Sequence, residues 1–129
     1  MIYLLYINVS NNLLISIKIV APEIVKKQSY TKAVDMWSAG VILYFCLCGS
    51  LPFIGETDHN IKLQIKTGEY SIEPPRWDHI SKPAKNLINA LLTTDPQMRL
   101  TAEEALVRIV LLFLLLLLLY FLIYCIFLL

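Results

Sequence analysis

Metal-ligand spacing is the first thing this sequence lacks. Its three cysteines and two histidines form no cluster. Cys46 and Cys48 stand two apart on a predicted helix and so face different directions, Cys125 lies in an apolar tail, and His59 and His79 are isolated. They read as core cysteines and loop histidines, so neither a metal site nor a disulfide framework is predicted. Charge of one sign is also missing. The net charge of +1, with no basic patch interleaved with aromatics, excludes a nucleic-acid footprint, and no nucleic-acid partner is expected. The N-terminus shows no basic region before its apolar part and no small-residue cleavage pattern, so it is a poor match to a secretory signal. Internal repeats are absent, and the leucine run 114–119 is the sole low-complexity segment.

What is present divides sharply. The chain has 129 residues, one domain's worth at most, and a mean hydropathy of +0.64. That excess is local. Residues 109–129 (IVLLFLLLLLLYFLIYCIFLL) are all apolar, while every charged residue lies before them. Outside this run apolar usage falls to about half, as in ordinary globular chains. Residues 1–20 are apolar but interrupted by Asn8, Ser10, Asn11, Asn12, Ser16 and Lys18, which argues against a membrane span there. Ile15 to Ile19 alternates with period 2, as a half-buried strand would.

The middle of the chain reads as helical. Lys32 to Cys48 contains no proline, and Gly49 follows as a stop. Its apolar residues occupy every face, and the clean run from Met36 is short for a span, so a buried core helix is predicted. Ile61 to Lys66 alternates like a strand. Asp58 as an N-cap and Gly68 as a stop nevertheless favour a short helix over 58–67. Residues 69–80 read as a loop held extended by Pro74-Pro75 and anchored by Trp77. Ser81 opens a helix whose Ala84, Leu87, Ile88, Leu91 and Leu92 form an amphipathic stripe, ended by Asp95-Pro96. Thr101 and Glu104 have the spacing of a capping box.

Four short motifs carry more specific information. They are Ala21-Pro22-Glu23, then Asp35-Met36-Trp37-Ser38-Ala39-Gly40-Val41, then Gly49-Ser50-Leu51-Pro52-Phe53, then Asp95-Pro96 with Arg99. In this order and spacing they resemble the C-terminal half of a eukaryotic serine/threonine protein kinase domain. The stretch WDHISKPAKNLINALLTTDPQMRLTAEEAL resembles the calcium/calmodulin-dependent or checkpoint-like branch. The resemblance implies a mainly α fold. It predicts an incomplete helical C-terminal lobe over 21–107; outside it, the sequence reads as a non-family apolar segment over 1–20 and a long apolar helix over 109–129. It also implies structural roles. Asp35 would accept hydrogen bonds from the backbone of the catalytic loop, Glu23 would pair with Arg99 in the interior, and Trp37 and Gly40 would sit in the hub helix. Because covering elements of the family are missing, Trp37, Val41 and Tyr44 are expected to be partly uncovered.

The motifs that do the family's chemistry are not found. Gly-x-Gly-x-x-Gly, Val-Ala-x-Lys, His-Arg-Asp and Asp-Phe-Gly are all absent, as is the Gly-Thr-x-x-Tyr element that seats substrate before Ala-Pro-Glu. No catalytic, cofactor-binding or metal residue is therefore assigned. ATP and magnesium belong to the parent family, and none is expected in this chain. After Leu106 the resemblance breaks off, and two breaks of this kind predict a truncated, rearranged or wrongly bounded piece of the domain. Such a piece would be silent in phosphotransfer. Its alternative reading is a membrane-tethered interaction module, or a relic membrane protein without activity, with a protein partner on the lobe surface. The run 109–129 would reach about 31 Å as a helix, against a hydrocarbon core of about 30 Å. A single-pass C-terminal membrane anchor is expected, with 21–108 cytosolic and Arg108 at the entry.

Overall fold

The computed structural model describes residues 19–109. Its longest element is α2, Ala33–Cys48, preceded by the short α1, Pro22–Val25, and followed by α3, Asp58–Thr67, and α4, Lys82–Leu91. Residues 102–109 are also helical, and no strand occurs among the described residues. Two compact units divide after Arg99. Of the segment 1–20 only Ile19 and Val20 are described, so the alternating stretch ending at Ile19 lies almost wholly outside the described residues.

The boundaries follow from capping chemistry. Gly49 and Gly68 adopt left-handed φ angles of 74° and 71°, which end α2 and α3 at no side-chain cost. Their N–H groups donate to the Phe45 and Gln64 carbonyls, each at 2.8 Å. Ser81 caps α4 by accepting from the Ala84 N–H. At α3 the cap is Thr57, not Asp58: the Thr57 backbone is extended and its Oγ1 accepts from the Asn60 N–H at 3.2 Å. Asp58 becomes the first helical residue, where its charge favours the positive helix end.

The alternating stretch 61–66 is helical. Ile61 and Ile65, one turn apart, enter the core, while Leu63 remains 54% exposed. A strand would have placed all three on one face. In α4 the stripe delivers Ile88, Leu91 and Leu92 to the interior. It packs on α2 at Gly40, where an added Cβ would lie 2.8 Å from Leu91 Cβ and 2.9 Å from Leu92 Cδ2. Only glycine permits that approach.

The core is aromatic. Trp37 stacks on Phe53 with ring centroids 5.4 Å apart, and Tyr44 meets Trp77 at 4.8 Å. Tyr70 turns its edge to both Tyr44 and Phe53. The loop 69–80 thus contributes two anchors, Tyr70 and Trp77. These contacts overturn the expectation for the hub helix: Trp37 and Val41 are 0% exposed and Tyr44 5%. The uncovered face of α2 is the opposite one. Asp35, Ala39, Ile42 and Cys46, spaced at i, i+4, i+7 and i+11, are all exposed along it.

In the second unit Thr101 and Glu104 form the reciprocal capping box. The Glu104 N–H donates to Thr101 Oγ1 at 3.2 Å, and the Thr101 N–H donates to Glu104 Oε2 at 2.9 Å. Among the described residues no helix is long and apolar enough to cross a membrane. Residues 110–129, on which the expected apolar helix depends, lie outside the described residues.

Candidate functional site

Glu23 enters the structure at the second position of α1. Ala21 is extended, Pro22 opens the helix with its φ already suited to it, and Glu23 follows into the interior. Arg99 arrives from the other end of the unit. The Asp95 carboxylate accepts from the Gln97 N–H at 2.9 Å and its carbonyl accepts from the Met98 N–H, a turn that aims Arg99 inward. The structure brings the two together as a bidentate pair: Nη1 donates to Oε1 at 2.8 Å and Nη2 to Oε2 at 2.9 Å.

The remaining Arg99 donors are also used. Nη1 donates to the Ala33 carbonyl at 2.7 Å, Nε to the Thr93 carbonyl at 2.8 Å, and Nη2 to the Thr94 carbonyl at 3.4 Å. The guanidinium carbon lies 5.2 Å from the centre of the Trp37 ring, close enough for a cation–π contact. One side chain therefore fastens α1, the start of α2 and the segment after α4. Burial by itself would raise the Glu23 pKa. The hydrogen bonds from Arg99 and the charge beside it outweigh that and hold the carboxyl below its ordinary range. Both groups are buried and saturated, so neither is open to a substrate. Their role is to compensate each other and lock the fold.

The other family positions divide. Trp37 lies at the centre of the core, and its Nε1 is buried with no hydrogen-bond partner among the described residues. Gly40 serves the α2–α4 approach. Asp35 is exposed in the first turn of α2, and its carboxylate accepts no hydrogen bond among the described residues. The segment that would supply donors precedes Ala21, and there only Ile19 and Val20 are described. Ser38 has a function that the sequence reading passed over. Its hydroxyl lies 3.0 Å from the Ile19 carbonyl and 3.2 Å from the Val34 carbonyl, tying the chain before Ala21 to α2. Tyr44 likewise donates to the Ser71 carbonyl at 2.7 Å, and Tyr70 to Asn89 Oδ1 at 2.8 Å.

Among the described residues, no three carboxylate, histidine or cysteine side chains come together.

A family profile described as protein kinase domain matches residues 7–109, a range that opens within the segment 1–20. Calcium/calmodulin-dependent protein kinase type 1 of Caenorhabditis briggsae is 51% identical over 87 residues, covering 67% of this chain and 24% of the relative. Calcium/calmodulin-dependent protein kinase type II alpha chain of Drosophila melanogaster is 50% identical over 86 residues, 67% of this chain and 16% of the relative. The type 1 enzyme of Caenorhabditis elegans is 49% identical over 87 residues, covering 67% of this chain and 25% of its own length. The chain thus spans about a quarter or less of the curated relatives it matches. With the buried Glu23–Arg99 pair set between an Ala-Pro-Glu element and a glycine-notched hub helix, this chain belongs to the protein kinase domain family and is a fragment of a serine/threonine kinase domain of the calcium/calmodulin-dependent branch.

Proposed function

We propose that this chain carries the helical hub of a calcium/calmodulin-dependent-type serine/threonine kinase domain and that by itself it neither binds Mg-ATP nor transfers phosphate. The parent reaction moves the γ-phosphoryl group of ATP to a protein hydroxyl, and it depends on groups that cradle phosphates, hold magnesium and orient the hydroxyl. The Glu23–Arg99 pair is the observation that carries the first half of the reading, because it is a fold-locking device placed in the family's own motifs. The absence of the glycine-rich, lysine, His-Arg-Asp and Asp-Phe-Gly motifs from the 129 residues supports the second half. The test is titration calorimetry of Mg-ATP into the purified chain, together with a phosphotransfer assay on a serine peptide. No heat and no transfer are expected, and saturable nucleotide binding would refute silence.

The composition of 109–129 supports membrane attachment of this hub, with the charged segment 21–108 on the cytosolic side. Alkaline carbonate extraction of cells expressing the chain tests this. Retention in the pellet is expected, and it should be lost when Leu115 and Leu118 are changed to arginine. Release of the unaltered chain would refute attachment.

A further inference from the structure

A groove runs between α1 and α3. Val20, Ile24, Val25, Lys27, Lys62 and Lys66 line it. Lys62 and Lys66 lie one turn apart on α3, so both ammonium groups belong to the same face. Lys27 follows α1 at a positive φ of 56°, a conformation in which a glycine would be free of strain. All three lysines are exposed, and Ile24 is exposed beside them.

Among the described residues no carboxylate lies within ion-pair distance of these lysines. The ion pair found among the described residues is Glu23–Arg99, and none involves a lysine. Asp58 and Glu69 stand at the two ends of α3 but do not line the groove. Residues 1–18 and 110–129 contain no aspartate or glutamate at all. An apolar patch beside three lysines that form no ion pair among the described residues selects a ligand with an apolar side chain between negative charges. The volume is about 290 Å³, at the lower edge of the roughly 300–1,000 Å³ typical of small-molecule pockets, and suits one or two side chains.

We propose that the α1–α3 groove docks an acidic linear peptide of a partner protein, with one aliphatic side chain seated over Ile24 and flanking carboxylates at Lys27, Lys62 and Lys66. This goes beyond the phosphotransfer reading and does not depend on it.

Fluorescence anisotropy on the full chain in non-ionic detergent micelles tests the proposal. The probe is a short labelled peptide with leucine between glutamates, and the two controls carry glutamine for glutamate or alanine for leucine. The glutamate–leucine peptide is expected to bind, and each control to bind about tenfold more weakly or worse. Lys62→Glu with Lys66→Glu should abolish binding at low salt, while Lys82→Glu, outside the groove, should leave it intact. The altered lysines are exposed, and the peptide-side controls need no protein variant, so misfolding cannot decide the result. Four results overturn the proposal: equal binding of the glutamine control, binding that survives in the Lys62→Glu/Lys66→Glu chain, capture of phosphatidylserine vesicles without peptide binding, or self-association of the chain that excludes the peptide.

Discussion

Replacing Arg99 by alanine removes more than a charge. It strands the Glu23 carboxylate in the interior and deprives the Ala33 and Thr93 carbonyls of donors at 2.7 and 2.8 Å. Breaking a buried pair from one side typically costs about 3–5 kcal/mol, because the surviving charge keeps its desolvation penalty and loses its compensation. Single domains hold about 5–15 kcal/mol in total, so much of the stability would go. Urea unfolding of the full chain in detergent, followed by tryptophan fluorescence, reads this directly, since Trp37 and Trp77 are both buried and Trp37 lies against the guanidinium. Arg76→Ala, at an exposed position, is the control and should stay within about 0.5 kcal/mol. Glu23→Leu with Arg99→Met should recover much of the loss, because an apolar pair of similar volume has no charge to desolvate. Equal effects of Arg99→Ala and Arg76→Ala would refute the assignment of the pair as the lock.

Further outcomes follow from the same contacts. The Glu23 carboxyl is held below 4.5, so between its folded and unfolded pKa values the unfolded chain binds more protons; stability from the pair should be complete above about pH 5 and fall as pH drops through the folded value, a slope that the Glu23→Leu/Arg99→Met chain should lack in acid titration. Tyr70 has the opposite sign: burial pushes its phenol from 10.0 up to about 12, so the unfolded chain loses its proton first, and stability should decline as pH rises between those values, less steeply in Tyr70→Phe by alkaline unfolding. Gly40→Ala gains about 1 kcal/mol of helix propensity but drives a Cβ to 2.8 Å from Leu91 Cβ, an overpacking cost of about 1–3 kcal/mol; a net loss is expected in urea midpoint, and a gain would show that α2 and α4 do not approach as described.

The helices were legible where punctuation was strong. Gly49, Gly68 and Ser81 marked their ends, because a left-handed φ or a hydroxyl cap leaves few alternatives. Thr57 and Asp58 are both good caps, and only the backbone angles of the folded chain separate them. The buried face of α2 was not legible. With apolar residues all round, periodicity cannot say which side is covered; Phe53, Tyr70 and Trp77, brought by the loops, decide it. The Glu23–Arg99 pair could be anticipated only through the family resemblance, since no local rule links residues so far apart. Ser38 illustrates the opposite difficulty. A mid-helix serine ordinarily reaches back to its own helix, as this one does toward Val34, and nothing nearby in sequence announces its second partner at Ile19.

The separation of the pair has a consequence for the order of events on the ribosome. Glu23 and Arg99 are 76 positions apart. At synthesis rates of about 5–20 residues per second, Glu23 waits roughly 4–15 s after it is made before its partner exists. During that interval Pro22–Val25 has no guanidinium to enter the interior with, and the carboxylate stays in water. Helices α2, α3 and α4 lie wholly before Arg99, but the Glu23–Arg99 closure spans a long loop and comes late. A nascent chain halted before Arg99 would hold every residue of the aromatic core and of the α2–α4 packing but leave Glu23 without its guanidinium, which makes the Asp95–Arg99 turn the step that locks α1 to the rest of the unit.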